Sequence, residues 1–139
     1  MTVSVPDGFT LFTRSSPFLE LIGPFYSRIG ERGPVFGLRI EDRHCNRRQT
    51  AHGGLLTTFA DIVLGYSSGH GGEVALTTAT LGLSFLGSAR VGDWVEGHAD
   101  VLKIGKRAAF ATCVLSVGGT RILHASGSFS VARTIGTAR

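Results

Sequence analysis

Charge is scarce in this chain. Only 17% of its 139 residues are Asp, Glu, Lys or Arg, against roughly 25% in an average soluble domain. Yet 42% are hydrophobic, too many for a disordered chain. No apolar run reaches the roughly 18–20 residues of a membrane-spanning helix, so no membrane partner is expected. Cysteine is almost missing: Cys45 and Cys113 stand alone, form no CxxC pair and cannot build a disulfide scaffold. Met1 to Thr13 lacks a basic segment followed by an apolar core, so no secretory signal is read and a cytoplasmic location is expected. Proline occurs four times against twenty glycines, with no repeating triplet; this excludes collagen and points to many tight turns. So little charged surface suggests that another subunit covers part of it.

Positive charge is also too dispersed to read as a nucleic-acid footprint. The net charge is 14 − 10 = +4, but only Arg43, Arg47 and Arg48 group together, with Lys103, Lys106 and Arg107 as a smaller set. No basic stripe with interleaved aromatic platforms exists, so no nucleic-acid partner is expected. A phosphate loop of the GxxxxGK[ST] type is missing. His44, Cys45, His52 and His70 match no compact ligand spacing, so no metal is expected.

What is present reads as one domain over residues 1–139, with a helical N-terminal extension over about 1–30. Ser15 is placed to cap a short helix through Ser16–Ile22, and Pro24 to stop it. Val35 to Glu41 reads as a strand. Gly53 to Ser68 carries the strongest helical signal: Leu55, Leu56, Phe59, Ile62, Val63 and Tyr66 cover most of its girth. Thr57, Thr58, Asp61, Gly65 and Ser68 form one narrow polar stripe. Such a helix is buried on several sides, and Gly69, Gly71 and Gly72 end it.

Beyond the helix the period falls to 2. Val74 to Leu86 puts Ala75, Thr77, Ala79, Leu81, Leu83 and Phe85 on one face. Trp94–Lys103, Arg107–Val117 and Arg121–Ala132 follow, joined by short glycine turns, which argues antiparallel hairpins. One antiparallel sheet wrapped around a long central helix satisfies this order, an α+β layer fold.

Two features carry chemistry. From Gln49 to Ala89 there is no Lys or Arg, and the acids are Asp61 and Glu73. Glu73 sits in a glycine turn. Asp61 sits mid-helix among Phe59, Ala60, Ile62 and Val63, where an unpartnered carboxylate is expensive. It either faces water on an exposed stripe or is held in a cleft to act on a substrate, and the apolar surroundings favour the cleft. The second feature is His52-Gly53-Gly54 at the helix entrance. Its glycines leave the first N–H groups sterically open at the positive end of the helix dipole, where an oxyanion can bind. Gly53 and Asp61 are eight residues apart, roughly 12 Å along a helix. If they cooperate on one carbonyl, two copies of the helix contribute.

The run Asn46-Arg47-Arg48-Gln49-Thr50-Ala51-His52-Gly53-Gly54, followed by Asp61, resembles the signature of hotdog-fold acyl-CoA thioesterases, in particular the phenylacetyl-CoA thioesterase-type branch. The likeness continues through Leu83–Leu86, Val91-Gly92-Asp93 and Leu102–Lys106, spanning roughly residues 35 to 132. The resemblance implies a sheet wrapped around a central helix. It also implies a homodimer with active sites at the subunit interface, often paired into a homotetramer. It implies hydrolysis of the thioester of an aromatic or short- to medium-chain acyl-CoA, with water as second substrate and no further cofactor. By the same resemblance Asp61 is the base or nucleophile, and the Gly53 N–H polarises the carbonyl. Asn46 positions thioester or water, His52 supports the loop, Gly54 lies against the substrate, and Thr78 helps hold the attacking water. Relatives commonly carry glycine and apolar residues where this chain has Arg47, Arg48 and Gln49. These arginines, like Lys103 and Lys106 at a hairpin, either meet the CoA phosphates or are plain surface charge. A hydroxyacyl-thioester dehydratase of the same fold, and a non-catalytic acyl-CoA-binding protein, are the alternatives.

Overall fold

The structure is a computed structural model that describes residues 4–70 and 74–132. Gly71, Gly72 and Glu73 therefore lie outside the described residues. Strands β1 (Thr10–Leu11), β2 (Tyr26–Gly30) and β3 (Gly33–Arg39) come first, with the short helix α1 (Pro17–Ile22) between β1 and β2. A single 3-10 turn, Asp42–His44, leads to the long helix α2 (Gly53–Ser68). Strands β4 (Leu76–Phe85), β5 (Trp94–Ile104), β6 (Ala108–Val117) and β7 (Thr120–Val131) follow. All seven strands form one antiparallel sheet in the order β1-β2-β3-β5-β6-β7-β4.

Helix α2 lies in the curve of that sheet because its apolar girth leaves it no other place. Leu55, Leu56, Phe59, Ala60, Ile62, Val63 and Leu64 are all buried, each large side chain contributing roughly 1.5–3 kcal/mol by leaving water. They meet Val95, Ala109, Ala111, Leu115, Leu123, Ala125 and Phe129 of β5, β6 and β7 within one core. Small residues on the strands let the helix seat closely. Gly69 ends it, its N–H donating to Gly65 O.

The N-terminal stretch differs from its expected helical character. Among its described residues only six are helical, flanked by strands β1 and β2, and the cap is Ser16, whose side chain accepts from Leu19 N–H. Ser15 instead donates to the Ser16 carbonyl. Strand β3 also starts and ends two residues before the Val35–Glu41 span, since Ile40 already turns to bond Asp93 O.

The important correction falls on β4. Its register against β7 shifts between Thr78 and Thr80, leaving Ala79 as an extra residue. A bulge reverses which face each later side chain takes. Leu76 and Thr78 therefore share the helix-facing side with Leu81, Leu83 and Phe85, whereas Ala75, Thr77 and Ala79 do not. Uniform alternation had put Thr78 on the wrong side of the sheet.

Candidate active site

The bulge decides what Asp61 meets. Thr78, turned inward by it, donates its hydroxyl to Asp61 Oδ1 at 2.6 Å, a short bond of the charge-assisted kind. The pair sits on a cleft of about 850 Å³ between α2, the start of β4 and the N-terminal segment Thr13–Leu19. Thr57 and Thr58 line it one turn before Asp61. Their hydroxyls donate back to Gly53 O at 2.7 Å and Gly54 O at 3.0 Å, which spares the helix wall unsatisfied groups. Asp61 is thus a half-buried carboxylate with one hydroxyl partner and open volume beside it.

The helix entrance is a separate assembly. His52 is the N-cap of α2, its Nδ1 accepting from Gly54 N–H at 2.8 Å, so the neutral ring carries its proton on Nε2. A Cβ on Gly54 would stand 3.0 Å from that same Nδ1. A side chain at position 54 would therefore press on the capping ring. Gly53 differs: a Cβ there would meet only the Phe85 ring at 3.5 Å, an ordinary contact. Among the described residues nothing accepts the Gly53 N–H, which lies at the positive end of the dipole.

Asn46 holds the loop that leads in. Its Oδ1 accepts from Arg48 N–H at 2.9 Å and Thr50 N–H at 3.3 Å, and its Nδ2 donates to Thr50 Oγ1 at 3.1 Å. Bridges Cys45–Ala51 and Thr50–Arg90 fix the loop's base. Arg47 and Arg48 are exposed at this end. Lys103 and Lys106 lie at the other, since the β5–β6 hairpin aligns through β6 and β7 with the start of β4. Asp61 and Thr78 are brought together; Asn46, His52 and Gly53 form a second group about 12 Å away along α2; the four cations are split between the two ends.

His44 is spoken for by backbone. Its Nδ1 accepts from Glu41 N–H at 2.9 Å and its Nε2 meets Ile22 O at 2.6 Å. Burial lowers its pKa from the ordinary histidine value, with neighbouring Arg43 adding to the effect against Ile22 O and Glu41. Arg43 also donates to Leu21 O and Gly23 O, so the open carbonyls at the end of α1 are closed by this turn. Burial raises Cys113 to about 12, which removes it as a nucleophile at neutral pH.

Sequence reasoning missed the cleft's other wall. Phe18, Leu19 and Tyr66 line it, although Tyr66 read as core and the N-terminal segment carried no chemical motif. The available signal was the apolar side chains of α1, a helix too short to need them for its own burial.

The sequence matches the thioesterase superfamily model over residues 48–124, and the chain belongs to that superfamily. It is 48% identical over 130 residues to a proposed esterase of Pseudomonas aeruginosa, covering 91% of this chain and 97% of that protein. Human acyl-coenzyme A thioesterase 13 is 27% identical over 133 residues, 91% of this chain and 92% of the relative. Among solved structures, the E. coli PaaI protein from the phenylacetic acid degradation operon superposes with a TM-score of 0.67 at 21% identity. That match covers 71% of this chain and 72% of that one. The fold is the hotdog fold, a curved antiparallel sheet around one long helix. No helix among the described residues is long and apolar enough to cross a membrane.

Proposed function

We propose that this protein hydrolyses acyl-CoA thioesters, with Asp61 as general base or nucleophile. The observation that carries the reading is the Asp61–Thr78 pair, a carboxylate oriented by a 2.6 Å hydroxyl bond beside an open cleft. Thr78 fixes one carboxylate oxygen and leaves the other to take a proton from water or to attack the carbonyl. The second requirement is a donor for the oxyanion, which the Gly53 N–H supplies.

One subunit does not bring these two together, so the active site belongs to two. Support comes from β4, a ten-residue strand at the sheet edge. Long open edges are normally covered, because they template pairing with another chain. Antiparallel pairing of two β4 strands lays the two α2 helices in opposite directions. The Gly53 end of one then faces the Asp61 region of the other. The same pairing brings Arg47 and Arg48 of one subunit toward Lys103 and Lys106 of its partner, a cationic rim for the CoA phosphates. His52 keeps the entrance rigid by capping it, and Asn46 shapes the loop. Exposed Leu102 and Phe110 on the sheet's outer side support pairing of dimers into a tetramer. Two free thiols suit the reducing cytoplasm. The acyl group proposed is aromatic or short- to medium-chain, as the sequence resemblance implies; no metal or redox group enters the scheme.

The test is Asp61→Asn, which preserves size and hydrogen bonding. Release of free CoA thiol should fall at least ~10²-fold in kcat with the melting temperature held. Turnover within a few-fold of wild type would remove Asp61 from the chemistry.

A further inference from the structure

The cleft extends well past the reacting pair, and its far part has a different chemistry. From Asp61 it runs along α2 past Ile62, Gly65 and Tyr66 to Phe18 and Leu19 of the N-terminal segment, with Phe129 behind. One wall is therefore α1, a helix with no buried residue, whose Phe18 and Leu21 are 55% and 71% exposed. A short uncovered helix is ordinarily loose. This one is tied down at both ends. Before it, the Tyr66 hydroxyl donates to Arg14 O at 3.0 Å, while the Tyr66 ring packs edge-on against Phe12 at 4.8 Å. After it, His44 and Arg43 hold Ile22 O, Leu21 O and Gly23 O.

Gly65 supplies the second observation. A glycine inside a helix is less stable than alanine, so its presence asks for a reason. Packing among the described residues supplies none: a Cβ at Gly65 would meet only the Phe129 ring, at 3.6 Å, an ordinary contact. What it would do is project into the cleft, about 6 Å beyond Asp61 along the helix.

Resting on the thioesterase reading above, we infer that the acyl group lies over Gly65 between α2 and α1. Gly65 sets the depth of the acyl pocket and Phe18 forms its end wall. Phe18 and Gly65 are then specificity-determining residues, and Tyr66 is a positioning residue that holds the wall through Arg14 O.

The experiment measures kcat/KM over a saturated series from acetyl-CoA to dodecanoyl-CoA, together with phenylacetyl-CoA. It uses the full-length protein and its Gly65→Ala, Gly65→Val, Phe18→Ala and Tyr66→Phe variants. Gly65→Ala should melt at or above the wild-type temperature. It should also lower the octanoyl-to-acetyl ratio of kcat/KM at least about tenfold, the usual effect of one methyl in a fitted pocket. Gly65→Val should move the preferred length shorter still, and Phe18→Ala should move it longer. Tyr66→Phe should raise KM for the longer acyl groups while leaving kcat for them close to wild type. A uniform factor across all chain lengths in every variant overturns the inference. If Gly65→Val fails to fold, the alanine variant carries the test alone. If the wild-type protein releases no thiol from any substrate, the thioesterase reading has failed. Binding of non-hydrolysable S-ethyl- and S-octyl-CoA then decides the pocket separately. Selective loss of the octyl compound in Gly65→Ala supports it, and equal effects on both overturn it.

Discussion

The entrance of α2 and its middle are built on opposite plans. At the entrance nearly every polar group serves to hold the backbone: His52 takes Gly54 N–H, and Asn46 takes Arg48 and Thr50. Two turns further along, Asp61 has a single hydroxyl partner and faces a cleft of about 850 Å³. A rigid frame with one N–H left over suits a fixed electrostatic donor, which must not move as charge develops. A lightly held carboxylate with space beside it suits a group that must exchange a proton or form a bond. Under the proposed mechanism, the contrast lets one helix supply two different roles without either residue touching the other.

The largest expected effect breaks this comparison if the two regions serve separate sites. Gly53→Val crowds the entrance, where the native glycine has only ordinary contact with Phe85. Its kcat should fall about 10²-fold, the usual loss of one oxyanion donor. Asp61→Ala should be comparably inactive. Refolded together in equal amounts, about half the dimers are mixed, and each mixed dimer carries one site with both lesions and one with neither. Activity should recover to about a quarter of wild type, by the same counting. No recovery, with mixed dimers proved by native mass spectrometry, would put both residues' partners within a single chain.

A smaller effect sharpens the middle region. Thr78→Val keeps the shape of the bulged strand and deletes the bond to Asp61. Hydrogen bonds to charged groups are worth about 1.5–3 kcal/mol, so kcat should drop about tenfold or somewhat more. Unchanged kcat would make the hydroxyl a bystander and leave Asp61 oriented by something else.

Helix α2 was legible to the residue because its apolar girth and flanking glycines are local signals. Asp61 and His52-Gly53-Gly54 stood out as candidates for the same reason, whereas Asn46 came only from the family resemblance. The face of Thr78 was not. A bulge is set by pairing with β7, and nothing between Val74 and Leu86 marks Ala79 as the extra residue. The alternation pattern predicts the opposite side. Strands β1 and β2 escaped because β1 is only two exposed residues and the five mostly half-exposed residues of β2 carry no hydrophobic alternation, although β2 pairs with its neighbour β3 through a tight turn. The cleft wall at Phe18 and Tyr66 is a tertiary fact: residues 18 and 66 become neighbours only when the N-terminal segment docks on α2. Asp61 and the Gly53 N–H could be singled out from the chain; the cleft beside Asp61 and the N-terminal arm that walls it could not.

The smallest effect concerns the joint between the two regions, the turn that carries His44. Its neutral form fits both bonds: Nδ1 accepts from Glu41 N–H, and Nε2–H reaches Ile22 O at the end of α1. A second proton would fall on Nδ1, against the Glu41 amide, and burial already holds the folded-state pKa below the ordinary 6.5, with Arg43 assisting. As pH falls through 6.5, the unfolded chain therefore binds a proton that the native chain refuses, and stability falls with it. Above that pH both states are neutral and the histidine adds no slope. Melting temperatures measured from pH 8 down to pH 5 should decline faster for wild type than for His44→Gln, by a few degrees at the acid end. Acid should also loosen α1 first, so hydrogen exchange at Leu21–Gly23 should rise before exchange at α2. Parallel melting curves for the two proteins would show that His44 is not the group through which pH reaches the cleft wall.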